Sequence, residues 1–200
     1  EGVEVLRPTT YTVIPDRVEA ATFLSAVAVC GGELLLKGAR SDHMEMLIRK
    51  LEEMGMSLAA EPSGLRVEVR NRLRAVDIST LPYPGLATDY KPFLVTALCV
   101  AEGAGMVTEN IFAGRFRYID ELVRMGAEIR AEGRHAVVRG VERLSGAPVR
   151  AHDIRAGAAL VVAGLVAEGE TVISDAHHVD RGYEDLAGKL ASVGALVTRT

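Results

Sequence analysis

The stretch 153–169 reads DIRAGAALVVAGLVAEG, an acid followed by mostly small apolar residues and closed by a glycine. A helix that is apolar on nearly every side has no face to offer to water, so it is predicted to lie in the middle of a domain. The same layout occurs at 16–32, DRVEAATFLSAVAVCGG, and at 89–103, DYKPFLVTALCVAEG. The sequence therefore predicts three buried central helices, each of which follows an aspartate.

Each central helix belongs to a longer repeated unit. After it come a short strand, a second helix that ends at a glycine, and then one or two strands. The closing glycines are Gly55, Gly126 and Gly194, which recur at intervals of about 70 residues. Glycine is favoured directly after a helix because the left-handed backbone there strains residues that have a Cβ atom. In the third unit the final strand is predicted within 195–200, ALVTRT.

The second helices differ from the central ones in their hydrophobic pattern. In the first unit Met44, Leu47, Ile48 and Leu51 fall at positions i, i+3, i+4 and i+7, on one helix face. The charged residues between them suit a solvated face. We therefore predict an α/β fold of three βαβαββ repeats packed around buried helices, with the second helices and the sheets outside, as an inside-out α/β barrel.

The repeats divide the chain into one domain and a short leading segment. Residues 16–75, 76–145 and 146–200 are predicted to be the three repeats, which form one domain because a single unit cannot bury its apolar faces. Residues 1–15 precede the first repeat, and the abrupt start without a methionine suggests that the chain is a fragment. The family resemblance described below implies that they are a hinge or linker from a preceding domain.

Composition and charge argue against several classes of function. The net charge is -4 and there is no Trp, so neither a basic footprint nor a stacking surface for nucleic acid is expected. No apolar run is long enough to span a membrane, and the chain does not begin with a signal-peptide pattern. Cys30 and Cys99 lie in apolar runs and are predicted to be buried thiols. Because there is no C-x-x-C pair, neither a metal site nor a cofactor is predicted.

The aspartates before the central helices allow two interpretations, which do not exclude each other. They are Asp16, Asp89 and Asp153. Each is suited to be an N-cap, whose carboxylate accepts hydrogen bonds from the first helical amides and stabilises the helix by about 1 kcal/mol. The free amides of a helix start also favour phosphate or carboxylate, so three starts gathered at one end of the domain would form a site for a polyanionic ligand.

Four arginines lie close to such turns and are candidates for that site. They are Arg17, Arg115, Arg155 and Arg181. A guanidinium group binds carboxylate and phosphate through two parallel hydrogen bonds. Each arginine alone also fits an ordinary surface ion pair, so the prediction of a site depends on the motifs around them.

Six stretches, in order along nearly the whole chain, carry a family resemblance. They are IPDRVEAATFL, LPYPGLATDYKPF, VTENIFAGRF, LVRMGAE, LSGAPVRAHDIRAGAALVVAGLVAEG and HHVDRGYEDLAGKL. They resemble the UDP-N-acetylglucosamine 1-carboxyvinyltransferase family, also called UDP-N-acetylglucosamine enolpyruvyl transferases. The resemblance implies a cytoplasmic enzyme of two similar domains with the active site in the cleft between them. This chain would be the C-terminal domain, entered across a hinge near 14–16.

The resemblance also implies a reaction. Enolpyruvate moves from phosphoenolpyruvate to the 3-hydroxyl group of UDP-N-acetylglucosamine, and phosphate is released through a tetrahedral intermediate. This step belongs to peptidoglycan precursor synthesis, and hence to cell-wall biogenesis, cell shape, the cell cycle and cell division. The chemistry needs a base near the hydroxyl group, an acid for the methylene carbon, and cations for the phosphate and carboxylate groups.

By the same resemblance, Asp89 is the candidate base that contacts the sugar hydroxyl group, and Ile111 lines the uridine nucleotide site. Arg181 falls on an arginine that meets phosphoenolpyruvate when the cleft closes. Three further cleft residues are implied to bind substrate: Arg115, Asp153 and Arg155. The sequence departs from the family at 90–92, Tyr-Lys-Pro, where a run containing Gln is common.

A partner domain is implied as well. The family's catalytic Cys loop, and a Lys and an Arg that hold phosphoenolpyruvate, belong to the N-terminal domain, and neither Cys30 nor Cys99 matches that loop. The chain alone is therefore expected to be inactive. Two alternatives stay open. One is half of the related shikimate-pathway enolpyruvyl transferase, whose shikimate-binding motifs are not found here; the other is a non-catalytic, stand-alone binding module of the same fold.

Overall fold

The computed structural model describes residues 2–112 and 114–199. The helices are α1 (Arg17–Cys30), α2 (Glu45–Met54), α3 (Lys91–Cys99), α4 (Tyr118–Arg124), α5 (Ile154–Val166), α6 (His177–Asp180) and α7 (Leu186–Ser192). The strands are β1 (Gly32–Lys37), β2 (Ser57–Glu61), β3 (Gly64–Val69), β4 (Ile78–Ser79), β5 (Ala104–Thr108), β6 (Glu128–Glu132), β7 (His135–Arg139), β8 (Leu144–Ser145), β9 (Pro148–Arg150), β10 (Ala167–Glu168) and β11 (Val172–Ser174). Two turns of 3-10 helix, Ser41–His43 and Thr88–Tyr90, precede α2 and α3.

The three central helices form the inside of the molecule, as the sequence predicts. Helices α1, α3 and α5 pack on one another, and α3 is buried over its whole length. Leu24, Leu98 and Leu160 have no exposed surface, and truncating such a leucine to alanine typically costs about 2–5 kcal/mol. None of the helices in the described residues combines the length and the apolar character needed to cross a membrane.

The sheet of the first unit shows how strands cover these helices. Strands β1 and β2 flank β3 in an antiparallel sheet, in which Gly32 lies opposite Val69. Leu65, Val67 and Val69 are buried, and the residues between them are partly exposed. This alternation is the period-2 pattern of a sheet with one face on the core, and that face packs against α1.

The other two units differ from the first in their strands. The second unit has the order β4-β5-β7-β6, with β4 parallel to β5 and the remaining neighbours antiparallel. In the third unit β9 pairs in parallel with β11, and β10 pairs in parallel with β8, which lies at the end of the second unit. In the described residues, 2–112 and 114–199, only the second unit therefore has every strand of the βαβαββ pattern. Its leading strand is β4, and its final pair is β6 and β7.

The strand predicted within 195–200 is wrong for the described residues 195–199, which form neither helix nor strand. In the other units the strand after the second helix pairs only with the strand that follows it: β2 with β3, and β6 with β7. A strand needs such a partner for its backbone N–H and C=O groups. The described residues after α7 include no following strand, so 195–199 have nothing equivalent to pair with.

The ends of the helices test two further predictions. Gly55, Gly126 and Gly194 have positive φ angles of 106°, 90° and 98°, which confirms their place after the second helices.

Cys99 is buried in α3, and burial raises its pKa to about 12. Cys30 is exposed, so the prediction of two buried thiols is wrong for this residue. It is the last residue of α1, where the chain leaves the core.

Residues 2–15, the predicted hinge, contain neither helix nor strand, and they are exposed. Helix α1 begins two residues later, at Arg17, and from there the chain enters the core. The role of this segment as a hinge stays a prediction, as do the exact boundaries of the three repeats.

Candidate active site

Two of the three central helices begin with an aspartate that caps them. Oδ1 of Asp16 accepts a hydrogen bond of 2.7 Å from the amide of Val18. Oδ1 of Asp153 accepts hydrogen bonds of 2.8 Å from the amides of Arg155 and Ala156. The N-cap interpretation is therefore confirmed at the starts of α1 and α5.

The start of α3 is built differently. Asp89 lies inside the 3-10 turn Thr88–Tyr90, and among the described residues no side chain caps α3. Pro92, in the first turn of the helix, has no N–H group that would need an acceptor. The carboxylate of Asp89 is consequently left for other partners.

Those partners are two arginines from other parts of the chain. Nη1 of Arg115 lies 3.2 Å from Oδ1 of Asp89, and Nε of Arg155 lies 3.8 Å from Oδ2. All three side chains are partly exposed, and pairs of this kind contribute at most about 1 kcal/mol each to stability. The fold thus brings together residues that are distant in sequence, at little benefit to stability.

A cavity of about 250 Å³ lies at this cluster, between the starts of α3, α4 and α5. Its charged lining residues are Asp89, Lys91, Arg115, Arg117, Asp153 and Arg155. This set has four cations and two carboxylates, and the cations still outnumber the carboxylates by three to two when Lys91 is set aside because it pairs with the buried Glu109. A concave site with an excess of fixed positive charge favours a ligand with several negative charges.

Arg155 has unused hydrogen-bonding capacity. Its Nη1 atom is buried, and no residue in the described part of the chain accepts a hydrogen bond from it. Its guanidinium carbon lies 6.0 Å from the ring centre of Tyr183, whose hydroxyl oxygen is 2.7 Å from Oγ1 of Thr22. A buried donor without an acceptor costs free energy.

A larger groove of about 470 Å³ adjoins the cavity. Thr88 and Asp89 line both, so Asp89 lies at the boundary between them. Ile111 lines the groove together with Tyr83 and Phe112, which gives the groove an apolar and partly aromatic wall. A cationic cavity next to such a wall suits a ligand that is anionic in one part and apolar in another.

Arg181 lies outside this cluster. It is an exposed residue directly after α6, and the described lining of neither the cavity nor the groove includes it. The segment that carries it packs tightly on α5: a Cβ atom at Gly157 would lie 2.7 Å from Cγ2 of Val179, and one at Gly182 would lie 2.6 Å from Cγ2 of Ile154. The backbone therefore holds Arg181 beside the start of α5.

The predicted site residues thus fall into three places. One cavity is lined by four of them: Asp89, Arg115, Asp153 and Arg155. Ile111 lines the adjoining groove, as does the candidate Arg17, and Arg181 lies apart on the next segment. Their roles in binding and catalysis stay predictions.

Sequence reasoning missed a buried ion pair next to the cavity. Nζ of Lys91 lies 2.7 Å from Oε2 of Glu109, and neither residue has exposed surface. The signal was present in the sequence, because Lys91 precedes the apolar run of α3 and Glu109 directly follows β5. Lys and Glu are almost never fully buried unless they are paired, so two such residues bordering predicted core segments indicate a pair.

The surroundings of Glu109 keep its carboxylate ionised. Burial alone would raise the pKa of Glu109, but hydrogen bonds from Lys91, Thr88 and the amides of Phe112 and Ile111 lower it to about 2. Burial lowers the pKa of Lys91, and the hydrogen bond and the charge of Glu109 oppose that effect.

A comparison with protein families shows where the chain belongs. The model of the EPSP synthase (3-phosphoshikimate 1-carboxyvinyltransferase) family matches residues 1–190. The chain belongs to this family. Two solved structures share the EPSP synthase family fold. The enolpyruvyl transferase NikO from Streptomyces tendae matches with a TM-score of 0.85 at 27% identity, over 94% of this chain and 45% of that one. An EPSP synthase from Acinetobacter baumannii matches with a TM-score of 0.77 at 19% identity, over 92% of this chain and 46% of that one, which shows the fold alone.

The curated relatives of this chain are named for a different substrate from the one in the family's description. UDP-N-acetylglucosamine 1-carboxyvinyltransferase 2 of Caldanaerobacter subterraneus subsp. tengcongensis is 52% identical over 200 residues, which are 100% of this chain and 48% of that protein. UDP-N-acetylglucosamine 1-carboxyvinyltransferase of Gluconacetobacter diazotrophicus is 51% identical over 199 residues, covering 100% of this chain and 47% of that protein. The resemblance seen in the motifs is confirmed, and the chain spans about half the length of the curated relatives it matches.

Proposed function

We propose that this chain is the C-terminal half of an enzyme that transfers enolpyruvate from phosphoenolpyruvate to the 3-hydroxyl group of UDP-N-acetylglucosamine. One observation carries the proposal. The carboxylate of Asp89 does not cap α3, and it lies instead between Arg115 and Arg155 in a cationic cavity. The names of relatives at 52% and 51% identity support the choice of substrates.

In this proposal Asp89 takes the proton of the sugar hydroxyl group, since a carboxylate within hydrogen-bonding distance can act as a general base. Arg115 and Arg155 bind the phosphate and carboxylate groups of phosphoenolpyruvate, whose negative charges they match. Arg181 joins them when the two halves of the enzyme close over the substrates, which brings this exposed side chain to the ligand.

Two further residues complete the binding surface. Asp153 caps α5 through Oδ1, and in the proposal its Oδ2 faces the substrates. Ile111 contributes the apolar wall of the groove, which holds the uridine nucleotide. The N-acetylglucosamine unit, which the diphosphate joins to the uridine, then lies next to Asp89 at the boundary of cavity and groove.

The other half of the enzyme supplies what these residues lack. It contributes the Cys loop and further cations for phosphoenolpyruvate, and it is joined through 1–15 as a hinge. The repeats 16–75, 76–145 and 146–200 form the C-terminal domain. The whole enzyme acts in the cytoplasm, in peptidoglycan precursor synthesis and so in cell division.

The test uses the full-length protein that contains this chain. Phosphate release from phosphoenolpyruvate is measured with either UDP-N-acetylglucosamine or shikimate 3-phosphate as acceptor, and the product is identified by mass spectrometry. We expect release with the sugar nucleotide only. Release with shikimate 3-phosphate alone would favour the shikimate-pathway alternative, which the description of the matching family suggests. No release with either acceptor would contradict the proposal.

A second measurement concerns the 200-residue chain by itself. We expect it to release no phosphate from phosphoenolpyruvate, because the acid and part of the cationic site lie in the other half. Turnover by the chain alone would contradict this division of roles. A native product about twice as long as this chain, measured by mass spectrometry, would favour the two-domain enzyme over a free-standing binding module.

A further inference from the structure

The departure from the family pattern at 90–92 places a lysine beside the site but out of reach of solvent. Nζ of Lys91 donates a hydrogen bond of 2.8 Å to the backbone carbonyl oxygen of Arg115 and lies 2.7 Å from Oε2 of Glu109. The same ammonium group lies 4.1 Å from the ring centre of Phe116. Lys91 therefore holds the backbone of the residue whose side chain meets Asp89.

Glu109 holds the other end of the same segment. Its Oε1 atom accepts hydrogen bonds of 2.8 Å and 3.0 Å from the amides of Ile111 and Phe112. Residues 109–112 and 114–117, which we call the Arg115 loop, are thus tied at their start by Glu109 and near their end by Lys91. Gly114 lies between these ties with a φ angle of 76°, a conformation that glycine adopts without strain.

The pair also connects the Arg115 loop to the rest of the fold. Oε1 of Glu109 accepts a hydrogen bond of 2.8 Å from Thr80, directly after β4, and Oε2 accepts one of 2.7 Å from Thr88, in the turn that contains Asp89. In a buried network each lost bond leaves a polar group unpaired, so such a network holds one arrangement. The loop and the turn of Asp89 are therefore fixed relative to each other.

We propose that Lys91 and Glu109 are positioning residues, which order the Arg115 loop so that the guanidinium group of Arg115 meets Asp89. Their effect on catalysis rests on the proposed function, whereas their effect on the order of the loop does not. A pair that only stabilised the domain would lower activity independently of Arg115.

The first test measures the order of the loop by amide hydrogen exchange in the full-length protein. Lys91→Met is compared with Val67→Ala, a truncation at a fully buried position of β3 in the first unit. We expect amides of the Arg115 loop to exchange at least about tenfold faster in Lys91→Met, and at the native rate in Val67→Ala. Native exchange of the loop in Lys91→Met overturns the inference.

The second test is a double-mutant cycle on kcat/KM for phosphoenolpyruvate. Misplacing Arg115 through Lys91→Met is expected to lower kcat/KM by about a hundredfold. Arg115→Ala removes the group through which Lys91 acts, so adding Lys91→Met to it is expected to cause little further loss. Losses that multiply in the double variant overturn the inference, because the pair would then act independently of Arg115.

Two controls keep the outcomes apart. If Lys91→Met does not fold, the same measurements are made on the double variant Lys91→Gln with Glu109→Gln, which has no buried charge. The shorter side chain at 91 is expected to leave the carbonyl oxygen of Arg115 without its hydrogen-bond donor. If the native full-length protein transfers no enolpyruvate, the proposed function fails, and hydrogen exchange in the Arg115 loop still decides whether Lys91 and Glu109 order it.

Discussion

The start of α3 differs from the starts of α1 and α5, although the three helices occupy the same place in their units. In α1 and α5 the preceding aspartate binds its own helix through backbone amides. Before α3 a 3-10 turn directs the equivalent aspartate to two arginines instead. A repeated residue therefore stabilises the fold in two units and is available for chemistry in the third.

The contrast between the three helix starts predicts that replacing Asp89 has the largest effect on catalysis. In the full-length protein, Asp89→Ala is expected to lower kcat by about 100-fold to 10,000-fold, because the proposed general base is lost. The free energy of unfolding is expected to change by less than about 1 kcal/mol, since the ion pairs of Asp89 are partly exposed. Phosphate release and urea unfolding measure the two quantities.

A matched control for this variant is Glu128→Ala, which removes a carboxylate that pairs with Arg139 at the surface of the second sheet. Its turnover is expected to equal that of the native protein. A near-normal kcat for Asp89→Ala would remove Asp89 from the mechanism and with it the contrast between the helix starts.

The next largest effect on catalysis is expected when Arg181 is replaced. Arg181→Ala is expected to lower kcat/KM for phosphoenolpyruvate by about tenfold to a hundredfold, the range for losing one hydrogen bond to a charged group. The dissociation constant of UDP-N-acetylglucosamine, measured by calorimetry, is expected to change much less. Equal losses for both substrates would indicate a folding defect rather than a lost ligand contact.

The pH dependence of stability distinguishes the buried Lys91–Glu109 ion pair from the exposed ion pairs. The pKa of Glu109 is lowered from 4.5 to about 2 by its hydrogen bonds. The folded protein therefore gains stability from this carboxylate above pH 4.5 and loses that gain as the pH falls towards 2. Glu109→Gln lacks this contribution, so the difference in urea midpoint between the native and variant chains is expected to shrink across that range. A difference that stays constant with pH would contradict the assigned role of the charge.

The smallest predicted effects are those of the caps. Asp16→Ala and Asp153→Ala are each expected to lower the free energy of unfolding by about 1 kcal/mol, because each leaves helix amides without an acceptor. Asp16→Asn keeps an acceptor and is expected to restore most of the loss at α1. If Asp89→Ala lowered stability as much as the two cap variants do, the three helix starts would be equivalent after all.

The sequence predicted those features that depend on one segment alone. Stretches such as 153–169 are apolar all round, so the interior is the place where they avoid water. The strand predicted within 195–200 depends on a partner, and the exposure of Cys30 depends on where a helix leaves the core. Neither condition can be read from the local residues.

The candidate site shows the same limit. Motifs predicted Asp89, Arg115, Asp153 and Arg155, and the structure gathers all four in one cavity. The reason why Asp89 differs from its counterparts is the short 3-10 turn before α3, which the repeat itself does not indicate. The burial of Lys91 was likewise missed. Lys91 and Glu109 both border apolar segments, but a helix and a strand separate them in sequence, and the fold shows that they meet.

The close fit of Gly157 and Gly182 between α5 and the segment of Arg181 makes the position of Arg181 sensitive to a change that carries no charge. One methyl group at either position would collide with Val179 or Ile154 and push the segment outward. If Arg181 binds phosphoenolpyruvate as proposed, such a variant keeps every arginine and is expected to resemble Arg181→Ala in its kinetics. Screens that score only polar side chains would overlook these two positions, which determine where Arg181 lies.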